Sequence, residues 1–151
     1  MRTITDHKLN GLNDALEITV LDEPGQGGAC HQYQISWGNV ERGPKQTIAE
    51  LEAILEKNDK QVSLLPNGGV CIGNTSLVSF QNGPIKEAGV NGISGEALIA
   101  IVIDRLRSFQ AGPFSCRDNA VALTKLEEAM MWLQKRTRDR LARGVEGTNQ
   151  K

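Results

Sequence analysis

Two different spacings of hydrophobic residues divide this chain of 151 residues. In the first half apolar and polar residues alternate in short runs, most clearly at 31–37, where Tyr33, Ile35 and Trp37 share one face. Alternation is typical of half-buried β-strands. The pattern predicts strands at 16–20, 31–37, 62–65, 70–72 and 77–80, turns at 66–69 and 73–76, and a long glycine-rich connection at 22–28.

One short helix is predicted within this first half, over 47–58. Thr47 and Glu50 have the spacing of a capping box, and Leu51, Ile54 and Leu55 follow at helical spacing. The strands and this helix together indicate a small antiparallel β layer.

The second half has the three-to-four-residue spacing of amphipathic helices. Ser94 is the predicted N-cap of a first helix, which ends at Gly112-Pro113. Ser115 is the predicted N-cap of a second helix, which runs for nearly thirty residues to Gly144. Helical spacing places these apolar residues inside: Leu98, Val102, Leu106, Phe109, Leu123, Leu126, Met130, Leu133 and Leu141.

The pattern therefore predicts an α+β fold, with a small antiparallel β layer and a short helix followed by a long C-terminal helical hairpin. The expected boundaries are 12–80 for the β layer, 81–93 for a linker, 94–144 for the hairpin and 145–151 for a tail. The first hairpin helix is apolar around much of its circumference, which indicates burial on more than one side. We therefore expect a homo-oligomer, a dimer or a multiple of dimers such as a hexamer.

Composition excludes several classes of protein. The net charge is −1, no run of residues is apolar enough for a membrane span or a signal peptide, and the three cysteines are widely spaced. With two histidines, no phosphate-binding glycine loop and no acid–base pair, the chain predicts a binding protein without a metal, a cofactor or a catalytic residue. His31 beside Cys30 is interpreted as structural.

Positive charge is concentrated in one place. Five of the nine residues at 135–143 are basic, and Arg136 and Arg140 lie four apart, on one face of the helix. Guanidinium groups bind phosphate in a bidentate way, so a phosphate-bearing ligand is the first hypothesis. The alternative is that these are exposed cations that complement the helix dipole and contribute little to folding.

From Phe80 onward the chain resembles the helical hairpin of two groups of phage proteins, the Thoeris anti-defence sponges and the anti-CBASS cyclic-nucleotide sponges. The similarity is carried by residues 91–93, 100–106, 109–120, 136–140 and 142–148. It is specific over 80–148 and looser over 14–37. The strand layer and residues 80–85 are similar to the Thoeris-directed branch.

The resemblance implies a function. Such sponges bind a diffusible nucleotide signal of bacterial defence and hold it uncleaved, in the cytoplasm of an infected or lysogenic host. In the Thoeris branch the signal is a cyclic ADP-ribose isomer, and some members also hold cyclic di- or trinucleotides at a second site. The family's ligand-binding positions correspond here to Phe109, Asn119, Arg136 and Arg140.

Two other functions stay open on the residues alone. The basic helix suits a nucleic-acid-binding phage regulator, although the near-neutral charge disfavours a general nucleic-acid coat. An enzyme that degrades a nucleotide signal is the third hypothesis. Each predicted site residue also has a plain structural interpretation: Phe109 as core, Asn119 as a first-turn residue bonded to backbone, and the two arginines as surface cations.

Overall fold

The computed structural model describes residues 2–9, 11–25, 27–43, 53, 62–64 and 70–150. The chain divides into two compact units, Met1–Ser79 and Phe80–Lys151. The first unit contains an antiparallel sheet and the second contains a helical hairpin, so the predicted α+β class is confirmed. The predicted helix at 47–58, except Ala53, and the predicted turn at 66–69 lie outside the described residues.

The first unit is built on five strands in the order β1-β2-β3-β5-β4, with antiparallel pairing throughout. A short helix, α1, leads directly into β2. The elements are β1 (Arg2–Ile4), α1 (Gly11–Ala15), β2 (Leu16–Val20), β3 (Gln32–Gly43), β4 (Val62–Leu64) and β5 (Val70–Ser79).

The sheet has one apolar and one polar face. Val20 lies opposite Tyr33, and Tyr33 lies opposite Val78, so the alternation predicted for 31–37 places apolar side chains on one side. Val20 is 1% exposed and anchors that side. The opposite face is also covered, because its polar residues Thr19, Gln34, Ser36 and Thr75 are buried.

One prediction in this unit is wrong, and two elements were not predicted. Residues 70–79 form one strand rather than two strands with a turn at 73–76. Thr75 pairs with Ser36 and Asn74 with Trp37, so the long partner strand overrides the turn preference of these polar residues. The sequence also missed β1, which pairs with β2, and α1. Three residues of β1 are too few to show an alternation.

The connection between β2 and β3 is pinned at its base by Asp22. Its two carboxylate oxygens accept the backbone N–H groups of His31 at 2.8 Å and Gln32 at 3.0 Å. Burial alone would raise the pKa of the Asp22 carboxyl, but these N–H groups stabilise the carboxylate and bring the pKa below its ordinary value. The loop therefore leaves and rejoins the sheet at fixed points.

The second unit consists of three helices, and the last two form the predicted hairpin. They are α2 (Ile85–Ala88), α3 (Gly95–Ala111) and α4 (Arg117–Ala142). Ile103 is 5% exposed, the most buried apolar side chain described in this unit. A salt bridge of 2.6 Å from Arg107 Nη2 to Glu127 Oε1 joins α3 to α4.

One predicted helix cap is confirmed and one is wrong. Ser94 Oγ accepts the N–H of Ala97 at 3.2 Å and begins α3. The cap of α4 is Cys116 rather than Ser115, because Cys116 Sγ accepts the N–H of Asn119 at 3.5 Å. The Ser115 N–H is bonded to the Gly112 carbonyl, which places that residue in the preceding turn.

Residues 81–93, for which the sequence predicts a linker, contain α2 and a closed network of amides. Asn91 Oδ1 accepts the Asn82 N–H, and Asn91 Nδ2 donates to the Asn82 carbonyl, both at 2.8 Å. Gln81 bonds the carbonyls of Gly83 and Gly89 and the N–H of Asn91. The segment is thus held as a compact loop at the start of the hairpin.

This loop predicts a position where only glycine fits. A Cβ on Gly92 would lie 2.4 Å from the backbone carbonyl carbon of Phe80, so Gly92→Ala must push two backbone segments apart. We expect a loss of about 1–3 kcal/mol in the free energy of unfolding, measured by urea denaturation.

The matched control is Gly95→Ala, whose Cβ would meet nothing within 4 Å at the first position of α3. It should be neutral or stabilising by up to about 1 kcal/mol, because alanine favours helix. Equal stability of the two variants would contradict the close approach at Gly92.

Candidate functional site

Two of the predicted site residues lie at the end of the hairpin where the chain turns from α3 to α4. Phe109 is half-buried near the end of α3, and the guanidinium carbon of Arg105 lies 4.9 Å from the centre of its ring. That distance is typical of a cation–π contact. Asn119 lies in the first turn of α4, where its backbone N–H is bonded to Cys116 and its side chain is half-buried.

The other two lie at the opposite end of α4. Arg136 is exposed, and no residue in the described part of the chain forms an ion pair or hydrogen bond with its guanidinium. Arg140 is different, because its side chain is only 17% exposed. The expectation that both arginines are exposed cations is therefore wrong for Arg140.

Arg140 is held by the residues that follow α4. Its Nε donates to Glu146 Oε2 at 2.8 Å and its Nη1 to the Gln150 carbonyl at 2.9 Å. Its Nη2 donates to the carbonyls of Val145 at 3.0 Å and Thr148 at 2.8 Å. Residues 145–150, which we call the C-terminal strap, are folded back around this one guanidinium.

The remaining basic residues of the segment are partly neutralised. Lys135 forms an ion pair with Asp139, and this hydrogen bond lowers the pKa of the Asp139 carboxyl below its ordinary value. Arg143 Nε donates to the Asp139 carbonyl at 3.3 Å. The positive charge available to a ligand is therefore smaller than the sequence indicates, and it lies mainly on the exposed side chains of Arg136 and Arg138.

The four predicted residues do not form one cluster within a chain. Asn119 and Arg136 lie on the same helix, 17 positions apart in the numbering. At the α-helical rise this is a separation of about 25 Å along the axis. Phe109 and Asn119 therefore form one pair at the turn of the hairpin, and Arg136 and Arg140 form another at its open end.

None of three cavities formed by described residues is lined by a predicted site residue. The largest, about 570 Å³, lies in the first unit between Arg2, Tyr33 and the glycine-rich loop. A groove of about 340 Å³ on the hairpin is lined by Ile103, Met130 and Met131 among others. The third, about 220 Å³, is lined by Ile85, Lys86, Leu141, Gly144 and Glu146, beside the strap.

Within the described ranges no group of three or more histidine, cysteine or acidic residues is placed to hold a metal ion. No helix described by the structure is both long enough and apolar enough to cross a membrane. His31 is buried, with Nδ1 3.8 Å from Asp22 Oδ2, and its backbone N–H is bonded to that carboxylate. Its place is in the base of the β2–β3 loop.

Sequence reasoning missed the residue that contacts Arg140 most directly. Glu146 lies six positions later, beyond the end of the helix, so helical spacing does not connect the two. The available signal was Gly144, whose φ of 70° reverses the chain direction after α4. A glycine at this point is typical of a helix end after which the chain folds back.

Comparison with known protein families agrees with this hairpin geometry. Residues 75–138 match the family model described as the Acb2/Tad1 hairpin domain. The matched part of the chain is therefore similar to that hairpin domain. The matched range contains α3 and all of α4 except its last four residues, and includes Phe109, Asn119 and Arg136. Arg140 and the strap lie outside it.

A curated relative gives the same result. The chain is 58% identical over 79 residues to "Thoeris anti-defense 1" of Bacillus phage SBSphiJ7. The alignment covers 52% of this chain and 56% of the relative, so it spans about half the length of each. Together with the match over 75–138, this similarity supports the family recognised from the sequence.

The contacts of the two arginines predict different effects on stability. Arg140→Ala removes four hydrogen bonds and leaves the Glu146 carboxylate without its partner, so we expect a loss of about 1.5–3 kcal/mol in the free energy of unfolding. Arg136→Ala removes an exposed cation and should stay within about 0.5 kcal/mol of the parent protein. Urea denaturation of both variants measures the difference, and equal effects would contradict the strap contacts.

Proposed function

We propose that this protein binds a cyclic ADP-ribose-type signal of bacterial Thoeris defence and sequesters it without cleavage, as a homo-oligomer in the cytoplasm of the host. The observation that carries the proposal is an unpaired, exposed Arg136 at the end of a hairpin that is closely related in sequence to a phage Thoeris anti-defence protein. The proposed ligand-binding residues are Phe109, Asn119, Arg136 and Arg140.

Each proposed role follows from the chemistry of the side chain. The guanidinium of Arg136 can bind an oxygen pair of a diphosphate. The Phe109 ring can stack on adenine, and its other contact, Arg105, keeps the ring in place. The Asn119 amide can bond a base edge or a ribose hydroxyl.

The separation of these groups supports a pocket shared between two copies. A small nucleotide cannot contact Asn119 and Arg136 of the same helix at once, because about 25 Å of helix separates them. In a symmetric dimer with antiparallel hairpins, the turn of one hairpin comes close to the open end of the other. Phe109 and Asn119 of one copy and Arg136 and Arg140 of its partner would then form one site, and the dimer would carry two.

Exposed apolar side chains on the hairpin also support an oligomer. Ile101 is 65% exposed and Trp132 58% exposed, and Val102, Val121 and Met131 are exposed as well. Apolar surface of this extent on helices is typical of a protein–protein contact. A dimer or a multiple of dimers is therefore part of the proposal.

A nucleic-acid-binding regulator is supported less well. Nucleic-acid affinity depends on many unpaired cations that follow a phosphate chain. Here Lys135, Arg140 and Arg107 are each paired with a carboxylate of the same chain. Few free guanidiniums at one helix end favour a small ligand with one or two phosphates.

A second site for cyclic di- or trinucleotides, which the resemblance implies for some family members, stays a prediction with no residues assigned. Competition binding addresses it. A cyclic trinucleotide that binds without displacing the cyclic ADP-ribose-type ligand would require a separate site, and mutual displacement would place both at one site.

Sequestration without chemistry predicts full recovery of the ligand. Protein loaded with a glycosidically closed cyclic ADP-ribose isomer, washed and heat-denatured, should release that compound unchanged, as measured by liquid chromatography and mass spectrometry. Release of a linear or hydrolysed product at many equivalents per protein would rule out the proposal in favour of an enzyme.

The charge-assisted contacts predict how affinity changes. Arg136→Ala should weaken binding of the same ligand by about tenfold to a hundredfold in calorimetry, because it removes hydrogen bonds worth about 1.5–3 kcal/mol. Arg138→Ala is the matched control, since Arg138 is an equally exposed guanidinium two positions along the helix. Equal, small effects at both positions would mean that the basic segment is only a solvated helix end.

The shared pocket predicts complementation between two inactive variants. Phe109→Ala and Arg136→Ala should each fill few sites as homo-oligomers, at a ligand concentration chosen between the Kd of the parent protein and the weaker Kd of the variants. In a heterodimer both substitutions fall in one site and leave the other intact, so an equal mixture that exchanges subunits should recover about a quarter of the parent sites. Binding stoichiometry after mixing measures this, and no recovery despite confirmed exchange would exclude the shared pocket.

A further inference from the structure

The hydrogen bonds of Arg140 leave no free edge on its guanidinium. The group has five N–H donors, arranged so that Nε with Nη2, or Nη1 with Nη2, can grip two oxygens of one anion. Nη2 donates to two strap carbonyls, and Nε and Nη1 each donate once. Both bidentate edges therefore have donors already in use, and a phosphate can be gripped only if strap contacts give way.

The strap has further anchors that do not involve Arg140. The Gly147 carbonyl accepts the Lys86 N–H at 3.2 Å, and Asn149 Nδ2 donates to Glu87 Oε2 at 3.0 Å. Gly147 is buried, and a Cβ there would lie 2.9 Å from the Ile85 side chain. The strap is thus seated against α2 as well as around the arginine.

The anionic member of this arrangement is Glu146. Its carboxylate accepts the Nε–H of Arg140, which is the kind of contact that a ligand phosphate would make. Glu146 also lines the cavity of about 220 Å³ that includes Lys86. Space and a second cation are therefore next to the carboxylate, where a displacing anion can approach.

We propose that Glu146 is an internal competitor that regulates the ligand site: it occupies Arg140 in the unloaded protein, and the ligand's diphosphate replaces it and releases the strap. This inference rests on the proposed function, because it takes Arg140 to be a ligand-binding residue. Binding is then an exchange of one anion for another on the same guanidinium. The strap leaves its seat only in protein that carries ligand.

The exchange predicts a gain of affinity from a conservative substitution. Glu146→Gln keeps the size of the side chain and a hydrogen-bond acceptor but removes the competing charge. It should bind the glycosidically closed cyclic ADP-ribose isomer, used as the probe in calorimetry, about tenfold more tightly than the parent protein. Glu128→Gln is the matched control: it removes an exposed carboxylate in the middle of α4, paired with Lys125, and should leave the affinity unchanged.

A second measurement follows the strap itself. Backbone N–H groups at Val145, Thr148 and Gln150 are hydrogen-bonded in the seated strap. Hydrogen–deuterium exchange at 145–150 should therefore become faster when the parent protein is saturated with the same cyclic ADP-ribose isomer. Light scattering on each variant verifies an unchanged oligomeric state.

The outcomes separate this inference from the proposed function. Tighter binding by Glu146→Gln together with faster strap exchange supports it, as does binding by that variant when the parent protein does not bind. Binding by the parent with equal or weaker affinity in Glu146→Gln, or with slower strap exchange, overturns the competitor and leaves the sponge intact. Absence of binding by both proteins overturns both proposals.

Discussion

A continuous α-helix fixes the distance between its residues, and α4 imposes this constraint on the whole second unit. Twenty-six residues without a kink-forming proline keep the turn of the hairpin and its basic end far apart. No rotamer change can bring Asn119 to Arg136. A small ligand that contacts both Asn119 and Arg136 must therefore be contacted by two copies of the helix. Recognition of such a ligand requires assembly of the two copies.

The basic segment shows why sequence charge differs from surface charge. The five basic residues at 135–143 look equivalent in the sequence, but their contacts differ. Lys135 forms an ion pair with Asp139 and Arg140 with Glu146, whereas the others have no carboxylate partner of this kind in the part of the chain that the structure describes. Arg136 and Arg138 are exposed members without a carboxylate partner among the described residues, and such cations contribute little to folding. Arg140 contributes to folding through the strap, so a ligand that uses it has to compete with the protein's own groups.

The predicted parts of the fold are those that depend on local rules. Ser94 begins a helix because its hydroxyl accepts the N–H of Ala97, three residues later. Such a contact depends only on neighbouring residues and can be predicted from the local sequence. The two hairpin helices and the strand at 16–20 follow from spacing alone. Errors occurred where a distant partner decides, as at 73–76, where β3 holds polar residues in a strand.

In the candidate site, too, the residues that follow local rules were predicted and a contact that depends on a distant residue was not. Helical spacing placed Arg136 and Arg140 on one face, and the family resemblance supplied Phe109 and Asn119. The Arg140–Glu146 pair could not be predicted by spacing, because a chain reversal at Gly144 brings the two together. The thiol was underestimated as a cap too: Cys116 caps α4 where a serine was expected, since its sulfur can also accept a helix N–H.

The hydrogen bonds of Asp22 make the structure of the sheet independent of the β2–β3 loop. Because the carboxylate holds His31 and Gln32, the register of the two strands is set at the base and does not depend on residues 23–30. Insertions at such a loop tip change little in the paired backbone below. The exposed positions Gly27 and Gly28 therefore suit the attachment of a fluorophore or an affinity tag that leaves the strand register of the sheet unchanged.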